Sequence, residues 1–178
     1  MGRIPFNTPN MLTMARFAFI PAVTVLIYFD LMIPALCVYF VACVTDLLDG
    51  YIARKNNLVT NEGKLLDPLA DKLMSIFAVI SFTVIGALPA FILIIILIKE
   101  LLMIGGGIFL YFRDVIVPAN AFGKFAAFTF NVAVGFTFLH ALVSPWHIYF
   151  MCFALALMIA ALAQYAYLNM YKRGKTRR

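Results

Sequence analysis

The sequence predicts an all-α integral membrane protein with six transmembrane helices and a short N-terminal interfacial segment. Of its 178 residues, 65% are hydrophobic and 12% are charged, whereas a soluble domain is usually about 25% charged. The apolar residues form six runs of the length that crosses a bilayer. Turn-forming residues separate these runs. No polar stretch is long enough for a soluble module, so we expect one membrane domain covering residues 1–178.

Each predicted span is bounded by turn chemistry. The spans run over residues 12–29, 32–55, 66–86, 89–112, 121–143 and 145–171. The polar residues 61–63 are predicted to lie in a loop, and Pro145 suits the first turn of the last helix. Residues 8–16, which read TPNMLTMAR, are predicted to begin as an interfacial helix capped by Thr8 or Asn10.

The positive charges predict the orientation. The first, third and fifth loops carry no Lys or Arg, whereas the other loops and the C-terminal tail KRGKTRR are basic. Basic loops stay on the cytoplasmic side, so we expect a multi-pass protein of the cell membrane with both termini in the cytoplasm. The net charge of +6 is then explained by orientation and by contact with anionic membrane lipids rather than by nucleic acid.

Four aspartates interrupt this apolar chain within 26 residues. They are Asp46, Asp49, Asp67 and Asp71, half of the eight acidic residues. Carboxylates in membrane segments are costly, so four together indicate a functional site. The spacing places each pair on one helix face, and Pro68 suits the first turn of the second helix. Two such faces opposite each other would surround one volume with the oxygen ligands that Mg²⁺ and Mn²⁺ prefer.

Three further residues share the face of the first aspartate pair. At 100° per residue, Gly50, Ala53 and Arg54 lie with both aspartates within roughly 140° of the helix circumference. The two small residues leave room for a bulky ligand near the backbone, and Arg54 can pair with a phosphate through two hydrogen bonds. Two divalent cations beside an arginine suit transfer chemistry on a pyrophosphate at the cytoplasmic side.

The whole pattern resembles the signature of the CDP-alcohol phosphatidyltransferases at every fixed position. It reads Asp46-x2-Asp49-Gly50-x2-Ala53-Arg54-x8-Gly63-x3-Asp67-x3-Asp71. The chain length and the six predicted spans also fit this family, so the resemblance covers nearly the whole chain. It implies an enzyme of phospholipid biosynthesis that transfers a phosphatidyl group from CDP-diacylglycerol to an alcohol acceptor and releases CMP. Homodimers are common in the family.

The resemblance also implies a role for each residue of the signature. All four aspartates would face two Mg²⁺ or Mn²⁺ ions, and Asp71 would be the general base on the acceptor hydroxyl. Gly50 and Ala53 would line the cytidine pocket, and Arg54 would contact the diphosphate. The residues implied to bind the CDP-lipid are Asp46, Asp49, Gly50, Ala53, Arg54 and Gly63, the last letting the chain pass close to the nucleotide.

The acceptor is defined by residues outside the signature. The stretches TPNMLTMAR and LDPLADK resemble the phosphatidylglycerophosphate synthase branch, whose acceptor is glycerol 3-phosphate. Cardiolipin synthases of this fold, whose acceptor is phosphatidylglycerol, share much of that pattern. The Arg-Glu pair of the first branch is Lys99-Glu100 here, and a second basic residue after Lys124 is missing. We expect glycerol 3-phosphate, with phosphatidylglycerol as the alternative; the candidate acceptor-binding residues are Arg16, Lys99, Arg113 and Lys124.

A divalent-metal transporter is the alternative from a different functional class. Such a protein would spread polar residues through the bilayer or show inverted repeats with broken helices. Here the carboxylates cluster near the predicted cytoplasmic ends, and the outer halves of the spans are apolar. This distribution favours an enzyme open to the cytoplasm and the inner leaflet.

The remaining polar, small and sulfur-containing residues receive simpler interpretations. Lys99 and Glu100 do not share a helix face, so we expect each to find its own partner in the bundle or in a wet cavity. The glycines at 105–107 are predicted to allow a close helix contact or a bend. His140 and His147 are expected to be isolated near the outer face, without a role. The cysteines are expected to be small buried apolar residues without a disulfide or zinc: Cys37, Cys43 and Cys152.

Overall fold

The structure, a computed structural model, is helical in every element of the residues it describes. It describes the backbone of residues 8–55, 61–111 and 121–168, and the side chains of residues 17–45, 72–106 and 121–168. The chain divides into two compact units, Met1–Ala87 and Leu88–Arg178. A helix lies at each of the six predicted positions, so the all-α prediction is confirmed.

The first unit contains three long helices, α1 Thr8–Tyr28, α2 Met32–Lys55 and α3 Asn61–Val84. Helix α1 packs along both α2 and α3, whereas α2 and α3 touch each other over only a small area. The predicted interfacial segment at residues 8–16 forms the first turns of α1 and continues into the rest of that helix without a break.

Buried stripes at helical spacing hold these three helices together. The small residues Ala35 and Ala42 are fully buried on α2, and small residues at such spacing let a neighbouring helix approach closely. The buried stripes are Ile20, Val23 and Ile27 on α1, Ala35, Tyr39 and Ala42 on α2, and Met74, Ala78, Val79 and Phe82 on α3. Packing at a spacing of three or four residues is the expected pattern for helices that bury one face.

Helix α1 ends in a Schellman motif. The amide of Leu31 donates to the carbonyl of Leu26 at 2.9 Å, and the amide of Asp30 donates to the carbonyl of Ile27 at 3.0 Å. Asp30 occupies the left-handed position of the motif, with φ of 59°. Glycine is the usual residue there because it has no Cβ, although Asp tolerates the conformation better than most residues.

Helix α3 ends in the same motif, with glycine at the left-handed position. The amide of Ala87 donates to the carbonyl of Phe82 at 2.8 Å, and that of Gly86 donates to the carbonyl of Thr83 at 3.1 Å. Gly86 has φ of 78°. The breaks predicted after residues 29 and 86 are therefore both present, and backbone hydrogen bonds satisfy the last carbonyls of each helix.

The second unit contains α4 Ala90–Tyr111, α5 Ala121–Thr137, α6 His140–Val143 and α7 Trp146–Ala166. Helix α5 packs along α7, α4 also contacts α7, and the single turn α6 contacts α7. The buried residues include Ile92 and Ile96 on α4, Ala126, Phe130, Ala133 and Val134 on α5, and Met151, Ala154 and Leu155 on α7.

The predicted fifth span, residues 121–143, is two helices rather than one. Helix α5 stops at Thr137, whose hydroxyl donates to the carbonyl of Ala133 at 2.9 Å. Such back-bonding competes with the helical ladder and often bends it. The amide of Leu139 then donates to Phe136 three residues back, as in a tight turn. Pro145 precedes α7 as its N-cap and is not in its first turn.

Large apolar side chains are exposed on every long helix. They include Val25 on α1, Phe40 on α2, Phe77 on α3, Leu101 on α4, Phe128 on α5 and Phe153 on α7. Apolar surface of this extent is typical of proteins that contact a membrane. By length and hydropathy, one helix of the described residues, Trp146–Ala166, is long and apolar enough to cross a bilayer, and shorter apolar helices cover Phe17–Tyr28, Met32–Thr45 and Lys72–Val84. The count of six spans stays a prediction.

Two of the simpler expectations need correction. The cysteines are not the buried residues predicted, because Cys37 is exposed and Cys43 and Cys152 are half-buried. A methyl-sized Cβ at Gly105 or Gly106 would meet no other atom within 4 Å. Among the residues that the structure describes, the close helix contact predicted for these two glycines is therefore not made.

Candidate active site

The first aspartate pair lies on the last turns of α2. The helix runs without interruption to Lys55. The predicted helical spacing, which places Asp46, Asp49 and Arg54 on one face, therefore applies to α2. Gly50 and Ala53 belong to the same stretch of helix. These five side chains lie beyond the part of the chain whose side chains are described. Just before them, the Thr45 hydroxyl donates to the carbonyl of Val41 at 2.6 Å.

The second pair lies near the beginning of α3, which starts earlier than predicted. Helix α3 begins at Asn61, so Gly63 is helical and is not in a loop. Pro68 is consequently in the second turn instead of the first. It has no amide hydrogen, so the helical bond from residue 68 to the carbonyl of residue 64 cannot form. Asp67 and Asp71 remain one turn apart on one face.

The four aspartates occupy matching levels of two consecutive helices. Asp49 lies six residues before the end of α2 and Asp67 six residues after the start of α3, while Asp46 and Asp71 lie nine and ten residues from those ends. At 1.5 Å per residue these levels are about 9 Å and about 14 Å from the helix ends. The connection 56–60 can span at most about 20 Å, so both pairs belong to one end of the first unit.

This arrangement is chemically suited to hold divalent cations. Carboxylates on two levels of neighbouring helices are hard oxygen donors of the kind that Mg²⁺ and Mn²⁺ bind. Within residues 17–45, 72–106 and 121–168, where side chains are described, no group of three or more His, Cys, Asp and Glu residues could hold a metal. The four aspartates lie outside those ranges. Their backbone positions on α2 and α3 and the chemistry of carboxylates indicate that they could supply the metal ligands.

The prediction that Lys99 and Glu100 find separate partners is wrong. The Lys99 ammonium forms an ion pair with the Glu100 carboxylate. Lys99 is 6% exposed and continues the buried stripe of Ile92 and Ile96 on α4. A buried charge requires a counter-charge, and the flexible four-carbon stem of lysine lets its ammonium reach the neighbouring carboxylate.

The other candidate acceptor-binding residues are distributed over several elements. Arg16 belongs to α1, with its side chain beyond the described set. Lys124 is exposed in the first turn of α5. Arg113 lies outside the described residues. The role of each toward an acceptor stays a prediction.

One polar pair was missed in the sequence. His140 and His147 are not isolated from each other, because their ring centroids are 6.0 Å apart. The two residues are seven apart across the turn between α6 and α7, which coincides with the break predicted between the fifth and sixth spans. The proline at 145 marks a turn, but a proline alone does not predict which side chains face each other across it.

Comparison with known proteins supports the resemblance over most of the chain. The family model for CDP-alcohol phosphatidyltransferase matches residues 6–164. A protein of Bacillus subtilis (strain 168) named CDP-diacylglycerol--glycerol-3-phosphate 3-phosphatidyltransferase is 37% identical over an alignment of 171 positions, which covers 87% of this chain and 88% of the relative. A protein of the same name from Rickettsia bellii (strain RML369-C) is 39% identical, covering 71% of each chain.

A eukaryotic relative has a different name. A fusion protein of Schizosaccharomyces pombe (strain 972 / ATCC 24843), named cardiolipin synthase (CMP-forming) / mitochondrial hydrolase, is 32% identical over 86% of this chain and 25% of its own length. The match to the family model spans most of the sequence, including the aspartate signature and both compact units. The chain therefore belongs to the CDP-alcohol phosphatidyltransferase family of membrane enzymes.

Proposed function

We propose that this enzyme transfers the phosphatidyl group of CDP-diacylglycerol to a hydroxyl of glycerol 3-phosphate and releases CMP. The observation that carries the proposal is the matched placement of two aspartate pairs at one end of α2 and α3. The names of the bacterial relatives that match most of this chain support the choice of donor and acceptor.

The reaction breaks the phosphoanhydride bond of CDP-diacylglycerol and forms a phosphate ester with the acceptor hydroxyl. Asp71 accepts the proton of the acceptor hydroxyl, whose oxygen forms a bond to the phosphorus of the phosphatidyl group. The bond between that phosphorus and the bridging oxygen breaks, and its electron pair leaves with CMP. Arg54 pairs with the diphosphate, and Gly50, Ala53 and Gly63 leave room beside the backbone for the cytidine. Asp46 and Asp49 complete the CDP-lipid site.

The donor set fits two divalent cations, Mg²⁺ or Mn²⁺. Asp46, Asp49, Asp67 and Asp71 would hold them, since four carboxylates at two matched levels supply oxygen ligands and negative charge. When bound, such ions neutralise charge on the diphosphate and on the departing CMP. Without cations, four carboxylates at this end of the helices would repel one another.

A phosphorylated acceptor requires positive charge in its own pocket. Arg16, Arg113 and Lys124 are the residues we propose for the phosphate of glycerol 3-phosphate, and Lys99 joins them only if it leaves Glu100. This pairing is the observation that favours a second candidate, transfer to phosphatidylglycerol as in cardiolipin synthases. That acceptor has a phosphodiester with one negative charge and therefore needs fewer cations.

The arrangement in the membrane is part of the proposal. We propose six spans in one functional domain over residues 1–178, with both termini in the cytoplasm. Because basic loops are retained on the cytoplasmic side, this topology would put the aspartate end of α2 and α3 at the inner leaflet of the cell membrane. The lipid donor would enter from that leaflet and the polar acceptor from the cytoplasm. We propose a homodimer as the assembly.

A CMP-release assay tests the function. Purified protein in detergent is incubated with CDP-diacylglycerol, Mg²⁺ or Mn²⁺, and one acceptor at a time from a panel of glycerol 3-phosphate, phosphatidylglycerol, serine and inositol phosphate. We expect release with glycerol 3-phosphate that stops when the cation is chelated. Faster release with phosphatidylglycerol would favour the second candidate, and no release with any acceptor would contradict the transferase.

A further inference from the structure

The turn between α6 and α7 brings two imidazoles together. His140 is the first residue of α6 and His147 the second residue of α7. Their ring centroids are 6.0 Å apart, and the ring planes are inclined by 64°. Both residues belong to the second compact unit, whereas the aspartate signature belongs to the first.

The two rings are withdrawn from solvent. His147 is 3% exposed, and His140 is half-buried. The Nδ1 atom of His140 is buried and has no hydrogen-bond partner. A buried polar nitrogen without a partner is uncommon in folded proteins and calls for an explanation. Because a second imidazole lies beside it, a metal ion bound by both rings would explain this nitrogen directly.

We propose that His140 and His147 form a binding site for a transition-metal ion of the Cu²⁺, Ni²⁺ and Zn²⁺ class. Imidazole nitrogen is the ligand type that these ions prefer, whereas Mg²⁺ and Mn²⁺ prefer oxygen. With metal–nitrogen distances of about 2.0–2.1 Å, two rings that share one ion have centroids roughly 5–6 Å apart. The separation of these two rings is compatible with that range.

The site supplies two protein ligands, so water or a small anion would complete the coordination. The described side chains contain no group of three or more His, Cys, Asp and Glu residues at this position. Affinity should therefore be lower than that of structural sites with four protein ligands. It should be highest for Cu²⁺, which heads the stability order of the first-row divalent ions.

The chain carries its own probe for this site. Trp146 is the only tryptophan in the sequence, and it is adjacent to His147. It is exposed and contacts the Tyr149 ring at a centroid distance of 5.9 Å. A paramagnetic Cu²⁺ ion held by His147 lies close enough to this indole to quench its fluorescence, so quenching reports binding at this turn.

The experiment is a Cu²⁺ titration of purified protein in detergent, without a polyhistidine tag and with excess Mg²⁺ to occupy oxygen sites. The exposed Cys37 is replaced by serine in every sample so that its thiol does not compete. We expect saturable quenching of Trp146 at one equivalent, and electron paramagnetic resonance should show nitrogen couplings from two imidazoles. His140→Gln should weaken binding at least about tenfold, as expected for the loss of a preferred ligand.

The variants also provide the outcomes that would overturn the proposal. Because His140 is only half-buried, the His140→Gln variant should keep its thermal stability and its CMP release. Loss of Cu²⁺ binding in that variant would then not be explained by misfolding. His147→Gln should give the same loss of Cu²⁺ binding with one remaining imidazole coupling. Quenching that does not saturate, or that is unchanged in His140→Gln, would show that the two rings only pack together.

Discussion

Lys99 and Glu100 are neighbours in sequence and form an ion pair with each other on α4. Lys99 takes the next position of a buried stripe that otherwise consists of Ile92 and Ile96. The middle of the helix thus carries one positive and one negative charge, and the two charges sum to zero. The cost of removing a charge from water is lower for such a pair than for either charge alone, which explains how α4 accommodates both.

This pairing predicts an asymmetry between single and double variants. Glu100→Gln leaves the Lys99 ammonium buried without its counter-charge and should destabilise the protein by about 3–5 kcal/mol. Lys99→Met removes the ammonium that pairs with the Glu100 carboxylate and should destabilise the protein by a similar amount. The double variant should lose less stability than either single variant, as measured by thermal unfolding in detergent. A double variant as unstable as the sum of the two would mean that the charges act independently.

Asp71→Asn tests the general base. The amide cannot accept the proton of the acceptor hydroxyl, so CMP release should fall by at least about 100-fold, while binding of CDP-diacylglycerol stays measurable. Asp30→Asn is the matched control, because Asp30 lies in the turn after α1 and Asn tolerates its left-handed conformation. If Asp71→Asn also abolishes CDP-lipid binding, Asp71 is chiefly a metal ligand.

Lys124→Met tests the phosphate site of the acceptor. Lys124 is exposed in the first turn of α5, and the loss of a charged hydrogen bond to phosphate costs about 1.5–3 kcal/mol. The KM for glycerol 3-phosphate should therefore rise about tenfold or more, with a smaller change in kcat. Lys175→Met removes an equal charge from the C-terminal tail and should leave KM unchanged. Equal effects of both variants would indicate a general electrostatic contribution.

Gly86→Ala and Gly105→Ala separate backbone conformation from packing. A Cβ at either glycine meets no other atom within 4 Å, but only Gly86 has a positive φ, of 78°. Gly86→Ala should cost about 1–2 kcal/mol for the left-handed backbone. Gly105→Ala should stabilise α4 by up to about 1 kcal/mol, since alanine favours the helix. Destabilisation by Gly105→Ala would reveal a contact with a second molecule.

Asp30→Gly should stabilise the end of α1. Asp30 has φ of 59° in the same motif that Gly86 completes on α3. Glycine adopts this conformation without the Cβ clash, so the expected gain is up to about 1 kcal/mol, reduced by the greater freedom of glycine in the unfolded chain. The melting temperature measures it, with Asp30→Val as the control that should be destabilised.

The helices were predictable where the sequence carries turn residues with a known preference. The first and third predicted spans end at residues 29 and 86, within two residues of the observed ends of α1 and α3. Helix α3 starts earlier than predicted because polar residues such as Asn61 and Glu62 are typical of loops, although Asn is also favoured at helix N-termini and Glu is favourable in a first turn. No Gly or Pro follows Thr137 before Pro145, and Gly135 lies inside α5, so composition did not indicate this helix end.

The donor half of the site was predictable because fixed spacing on a helix determines which residues share a face. Asp46 and Asp49 required only that α2 be continuous, and it is. The ion pair of Lys99 and Glu100 was not predictable from face geometry, because the reach of a lysine side chain exceeds the separation of neighbouring positions. The contact between His140 and His147 depends on a turn, and spacing along one helix contains no information about it.

Helix α1 carries none of the four aspartates, yet it packs against both helices that do, while those two barely touch. Because α1 contacts both helices, it is the element of the first unit that can fix the distance between α2 and α3. Its buried residues Val23 and Ile27 lie near its C-terminal end, which adjoins the start of α2 and is opposite to the aspartate end. Enlarging or trimming them would alter how the three helices pack without changing any polar residue, so the spacing of α2 and α3 can diverge among related chains through apolar substitutions far from the carboxylates.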